Sequence, residues 1–316
     1  MSYDAFGVGA VLPRYAFAGR AAVCEFRCLC GGKLSRCYAF AGHVVVCTYG
    51  VIADGGDILK IFYCKDNFED MMCCIYDAWA SKAGHENVRL MIDGEFEYEL
   101  FTEYIMSETV HEKFYKVIRA IQQKISMEAY TVVYRAAMSF EKERLDIIYR
   151  FLVDGFKYGG RALYDYRLES VRQINRIAKK AGNESHLFLG FIRFEEMKNR
   201  VLFAQIEPKC NVLTLVAPHF EERMPDENWI IYDKKRRLAA IHPAGRQYYI
   251  SALTDAEVEQ IRDMYENDTY EFLWRVFFNT IGIDERKNPA CQRNMLPMWY
   301  RDCMTEFAED KKSCVV

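Results

Sequence analysis

With 316 residues, 51% of them hydrophobic and 15% aromatic, the chain has material for one large domain or two ordinary ones and reads as a folded soluble protein. A formal net charge of -3 excludes a protein that coats nucleic acid indiscriminately, while leaving room for a local basic groove. No apolar run approaches the roughly 20 residues that cross a bilayer. The N-terminus lacks the charged start and unbroken apolar core of a secretory signal, so a cytoplasmic protein is expected.

In chain order, residues 1–57 come first. Tyr15-Ala16-Phe17-Ala18-Gly19 recurs as Tyr38-Ala39-Phe40-Ala41-Gly42, and the copies stay in step to Val23-Cys24 and Val46-Cys47. Two short copies without caps are too few for a solenoid. Gly55-Gly56-Asp57 can be encoded as GGAGGTGAT, a strong ribosome-binding sequence, and Leu59 as the alternative start TTG. Residues 1–57 are therefore expected to be a non-native upstream extension or disordered, with the natural protein starting near Leu59. A peptide from 1–57 in the source cell, found by mass spectrometry, would refute this.

Cysteines concentrate early, at Cys24, Cys28, Cys30, Cys37 and Cys47, then at Cys64, Cys73 and Cys74. In a reducing compartment such residues are thiols or metal ligands rather than disulfides. The spacing Cys24-x-x-x-Cys28-x-Cys30 approaches the radical-SAM cluster pattern CxxxCxxC but has Gly31 at the third position. It does not make paired CxxC zinc spacing either. No metal and no cofactor is expected.

Leu59–Tyr63 reads as a strand. Asp66 with Glu69 predicts a capping box for a helix with a stripe of Phe68, Met71, Met72, Ile75, Tyr76 and Trp79. A polar, β-like passage from Val88 to Tyr104 leads to Thr109 and Glu112, which predict the cap of a second helix. Two more helices follow, near Met127–Ser139 and Lys142–Lys157, the latter closed by Gly159-Gly160.

From Lys157 to Arg200 the chain turns basic. On a predicted helix Leu168–Lys180, residues Arg172, Arg176, Lys179 and Lys180 share one face, and Leu168, Val171, Ile174 and Ala178 another. The basic face serves solvent or phosphate. Short strands are predicted at Arg200–Ile206, Trp229–Asp233, Arg237–Ile241 and Gln247–Ile250, with Asn211–Glu222 a helix, whole or broken by Pro218. Their short spacings predict antiparallel pairing. Lys234–Arg237 is expected on an exposed hairpin, either as a solubilising turn or as a salt-dependent phosphate contact, and Thr254-Asp255 is expected to cap a helix to Tyr265.

The stretch Tyr270–Phe307 closes the chain. Phe272, Val276, Asn279 and Ile283 alternate with Leu273, Phe277 and Thr280 at helical spacing, which predicts a buried core helix. Asn288-Pro289 is expected to end it, placing Gln292, Arg293 and Asn294 on a stiff, proline-bounded loop beside Trp299 and Tyr300.

Three segments carry a resemblance: HLFLGFIRF (186–194), VLFAQIEPKCNVLTLVAPHFEERMPDENWIIYD (201–233) and Tyr270–Phe307. Over Ile58–Phe307 the chain resembles a bacterial family of uncharacterised function named for DNA metabolism and DNA repair. That family is typically encoded beside a radical-SAM protein of the spore-photoproduct-lyase kind and is fused in some chains to a uracil-DNA glycosylase domain. The resemblance implies binding of damaged or modified DNA, with a radical-SAM protein as partner.

The expected architecture is α+β, with a helical N-terminal half and a C-terminal antiparallel sheet bearing packed helices. Residues 58–160 form the mainly helical region, 161–308 the basic helix, sheet and C-terminal helices, and 309–316 a tail. The nucleic-acid contacts expected are Arg172, Arg176, Lys179, Lys180, Arg193, Arg286, Asn288 and Gln292. If the chain is itself a nuclease, glycosylase or lyase, His186, Asp284 and Glu285 are the candidates for its chemistry, although helix-end capping and an Arg–carboxylate pair explain the clustered carboxylates more cheaply. A third reading is a scaffold for the radical-SAM protein that does not bind DNA.

Overall fold

The computed structural model describes residues 14–15, 24–30, 33–40, 43–47, 59–94, 99, 102–263, 269–281 and 288–307. The chain divides into two compact units, Met1–Asp57 and Ile58–Val316. In the first, β1 (Arg14–Tyr15), β2 (Cys24–Cys30), β3 (Lys33–Phe40) and β4 (His43–Cys47) form an antiparallel sheet in that order. The repeat is legible here as two hairpins. The first copy pairs Tyr15 with Cys24, and the second pairs Tyr38 with Val46.

The second unit is α+β. It begins with a three-stranded parallel sheet, in which β5 (Leu59–Cys64) lies between β6 (Val88–Ile92) and β7 (Thr102–Met106). Parallel pairing needs a crossover, and α1 (Phe68–Ala80) supplies it between β5 and β6. Then follow α2 (His111–Lys124), α3 (Met127–Ala137), α4 (Arg144–Tyr158) and α5 (Glu169–Phe191). Phe62 and Leu90 from the sheet share one core with Met71, Ile121, Val133, Phe151 and Ile174 from the five helices. Among the described residues no helix is long and apolar enough to cross a membrane.

Two caps differ from expectation. Asn67, not Asp66, caps α1, its side chain accepting from the Glu69 amide at 3.3 Å, because Asp66 is drawn into an ion pair with Arg144 at 2.8 Å. Thr109 bonds the Asp70 carboxylate, so Val110 stands at the start of α2 without a side-chain cap. Gly159 closes α4 at φ 69, where glycine carries no Cβ penalty.

The C-terminal sheet runs β12-β11-β10-β9-β8, with β8 (Glu195–Met197), β9 (Val201–Ile206), β10 (Asn228–Asp233), β11 (Leu238–His242) and β12 (Tyr249–Ala252). It is mostly antiparallel, but β9 and β10 pair in parallel, Asn228 opposite Val201. The expectation of antiparallel pairing fails there because α6 (Leu213–Arg223) bridges the two strands, and an αβ crossover returns the chain in the same direction. Pro218 lies inside α6 without breaking it.

The last segment departs furthest. After α7 (Asp255–Asp263), helix α8 (Thr269–Thr280) is not a core element: Leu273 is 53% exposed and Phe277 52%. The layer over Phe188 and Phe191 is filled instead by Tyr300, whose ring centroid lies 5.0 Å and 5.3 Å from theirs. Asn288-Pro289 begins a helix rather than ending one. The Asn288 side chain accepts from the Cys291 amide at 3.0 Å, and Pro289 opens α9 (Pro289–Met295), where its missing N–H costs nothing.

Candidate nucleic-acid interface

The site is built on the loop between β9 and α6. The buried Glu184 carboxylate on α5 accepts the backbone N–H groups of Lys209 and Cys210, each at 2.8 Å, and the Asn211 amide donates to Met138 O at 2.8 Å. Burial, aided by Glu184, pushes the Cys210 thiol up to about 12, and burial with the same carboxylate pushes the Tyr300 phenol to about 12. From the β10–β11 turn, Arg236 donates to Pro208 O at 3.2 Å and to Asp233 at 2.9 Å. Asp233 is fully buried. Its carboxyl is raised by that burial and pulled back by Arg236.

So anchored, Lys209 extends its ammonium over the Trp299 ring, 3.7 Å from the centroid. That is a close cation–π contact on an exposed edge of the protein. Beside it opens a cleft of about 880 Å³ between the α1–α3 face and the loops of the C-terminal sheet. One wall carries the rings of Phe68, Phe114, Tyr130, Tyr134 and Phe140, and the other carries Lys209, Lys235 and Arg236. Phe68 meets Tyr134 edge-on at 4.9 Å. Burial raises the phenols of Tyr130 and Tyr134 above the ordinary tyrosine range. Arg144 lies at the base, held by Asp66 and by Glu141 O at 2.8 Å.

The predicted residues part company in this frame. Lys180 stands over the Phe140 ring at 5.7 Å, beside the cleft, and pairs with Glu141. Arg172 grips Glu169 and the carbonyls of Tyr166 and Arg167 at 2.7 and 3.0 Å, bracing the start of α5, and Arg176 is exposed one turn further on. Arg193 pairs with the Glu306 carboxylate, itself 2% exposed, at 2.9 Å and lies over Trp274 at 5.9 Å. Asn288 caps α9, which carries Gln292 exposed. Asp284, Glu285 and Arg286 lie outside the described residues.

Lys179 and His186 come together, but elsewhere. With Arg135 they line a second depression of about 530 Å³. Helix α3 gives its Tyr130 and Tyr134 face to the cleft and its Val132 and Arg135 face to this depression. The bond from the Tyr134 hydroxyl to Thr214, 2.7 Å, ties α3 to α6 between them. Among the described residues no group of three His, Cys, Asp or Glu side chains converges as a metal site.

Sequence reasoning missed Lys209 and the aromatic wall. Their positions span Phe68 to Lys209, and only tertiary packing brings them together. The local signal for Lys209 was its place after Glu207-Pro208, at the C-terminal end of a strand. Chemically the cleft offers Lys209 and Lys235 for an anionic chain and aromatic rings for its bases, with the carboxylates of Asp66, paired to Arg144, and Glu69 also in its lining.

No curated protein and no solved structure matches the chain. A family model described as a domain of unknown function, DUF4130, matches residues 142–306. That span includes Arg144, Lys180, Lys209, Lys235, Arg236 and Trp299, while Phe68, Phe114, Tyr130 and Tyr134 precede it. The match covers more than half of the chain, from just before α4 to the last described turn, and the chain belongs to the DUF4130 family.

Proposed function

We propose that this protein binds a nucleic-acid strand along the cleft, with phosphates on Lys209, Lys235 and Lys180 and a base against the aromatic wall. The observation that carries the reading is Lys209 held 3.7 Å above Trp299 at the mouth of a ring-lined cleft. A strand needs a cationic track for its backbone and π-faces for its bases, and every base has such a face. The resemblance noted from the sequence adds damaged or modified DNA as the substrate and a radical-SAM protein as the partner that performs the chemistry.

The test is a gel shift of the full chain against undamaged, uracil-containing and ultraviolet-damaged DNA at two salt concentrations. Binding that weakens with salt and favours one modified substrate supports the reading. Absence of binding to all three overturns it and leaves the scaffold alternative. Turnover of any of them by the isolated protein would instead make the chain an enzyme. Co-purification from the source cell tests the partner: recovery without the radical-SAM protein removes that part of the proposal.

A further inference from the structure

The depression between α3 and α5 has no part in the strand reading, and its chemistry is of one kind. Asn175, Lys179, Gly182, Asn183 and His186 follow one another at helical spacing along a single ridge of α5. Arg135 faces them from α3, and Leu189 and Leu215 supply an apolar margin. Arg135, Lys179 and His186 are all exposed, and among the described residues neither Arg135 nor Lys179 has a carboxylate partner. Most of the basic residues described above differ: Arg144, Arg172, Lys180, Arg193, Arg236 and Arg237 all pair with acids.

No carboxylate lines the depression. Of the acids on α5, Glu169 pairs with Arg172 and Glu184 is buried and turned to the Lys209 and Cys210 amides, while Glu128 on α3 meets the Tyr164 hydroxyl at 3.4 Å. Asn175 donates to Val171 O at 2.9 Å, so its amide oxygen is left as an acceptor. Gly182 interrupts the ridge between Lys179 and His186. A Cβ there would meet nothing within 4 Å, so no packing demand explains a glycine in mid-helix, where it costs about 1 kcal/mol against alanine. It leaves a notch flanked by cations.

We propose that this depression binds a phosphomonoester carried on a compact, partly apolar molecule of nucleotide size. Arg135 and Lys179 hold the phosphate through charge-assisted hydrogen bonds, and His186 and Asn183 add donors at its rim. The apolar margin takes the remainder. A volume of about 530 Å³ lies within the range of small-molecule sites.

The experiment follows the His186 ring signals by NMR in the full chain during titration with inorganic phosphate, adenosine 5′-monophosphate and adenosine. Saturable shifts are expected from both phosphate-bearing probes, tighter for the nucleotide, and none from adenosine. The double variant Arg135→Ser/Lys179→Ser, with both side chains at the surface, should bind about tenfold more weakly or worse. Gly182→Met, which fills the notch without meeting the core, should exclude the nucleotide. Lys209→Glu should change nothing here, so this site and the strand reading stand or fall separately.

An oligonucleotide with a 5′-phosphate, compared with its 5′-hydroxyl twin, identifies the source. If only the phosphorylated strand shifts the signals, the ligand is a strand end; if neither strand does but the free nucleotide does, it is a metabolite. Both results uphold the site. No saturable shift from either phosphate-bearing probe, or binding retained by the double variant, overturns it.

Discussion

The carboxylate of Glu184 holds the backbone N–H of Lys209 at 2.8 Å, and so the buried acid of α5 positions an exposed cation of the cleft. Glu184→Ala leaves one buried and one partly buried amide without an acceptor. Hydrogen bonds to charged groups make that a loss of about 3 kcal/mol. The melting temperature should fall by roughly 6–12 °C, checked by calorimetry. Strand affinity should fall too, although Glu184 touches no ligand. An unchanged melting temperature would mean the loop is held by other contacts.

Two glycines give opposite signs. At Gly160 a Cβ would come within 2.8 Å of the Ile125 backbone oxygen, and backbone cannot step aside, so Gly160→Ala should destabilise by about 1–3 kcal/mol. At Gly182 the Cβ meets open space, and Gly182→Ala should stabilise by about 0.5–1 kcal/mol. Denaturant midpoints of the two variants check the pair, and equal midpoints would contradict the packing described.

Arg172 and Arg193 look alike in sequence but should fail differently. Arg172→Ala removes an exposed brace at the start of α5 and should cost about 1 kcal/mol. Arg193→Ala strands the buried Glu306 carboxylate and should cost about 3 kcal/mol. Neither should shift strand affinity by more than about twofold, since both side chains are engaged within the protein. A large loss of binding in either variant, with the fold intact, would return that residue to the interface.

Much of the fold was legible because local signals and tertiary demands agree. The apolar stripes of α1 and α5 predict the faces that are buried, and Gly159 ends α4 as its conformation requires. Reading failed where two physical meanings share one pattern. An asparagine before proline both disfavours helix behind it and caps a helix ahead, and at Asn288 the second meaning holds. The apolar periodicity of α8 predicts burial, yet Tyr300 takes that place, which no local pattern announces. The basic face of α5 was read as one surface. The structure divides it, giving Lys180 to the cleft edge, Lys179 to the depression and Arg172 to the helix start.

Alkaline behaviour follows from the buried Cys210 and Tyr300. Their folded values near 12 exceed the ordinary 9.0 and 10.0, so the stability they contribute is full below those values and drains away as pH rises toward 12. Melting temperature should decline across that window, with Cys210→Ala and Tyr300→Phe each flattening the decline. Under mildly alkaline alkylation the exposed Cys291 should be modified and Cys210 spared, read by peptide mass spectrometry. Modification of Cys210 in the folded protein would contradict its burial.

Fluorescence anisotropy of a labelled DNA strand titrated with the full chain at several salt concentrations, for the wild type and for Lys209→Glu/Lys235→Glu, tests strand binding in the cleft. Both lysines are exposed, so the fold should survive the change. Salt-sensitive binding by the wild type is predicted, with the variant weaker by about tenfold or more and its salt slope reduced by about 2. Equal affinity and equal slope for the two proteins would contradict it.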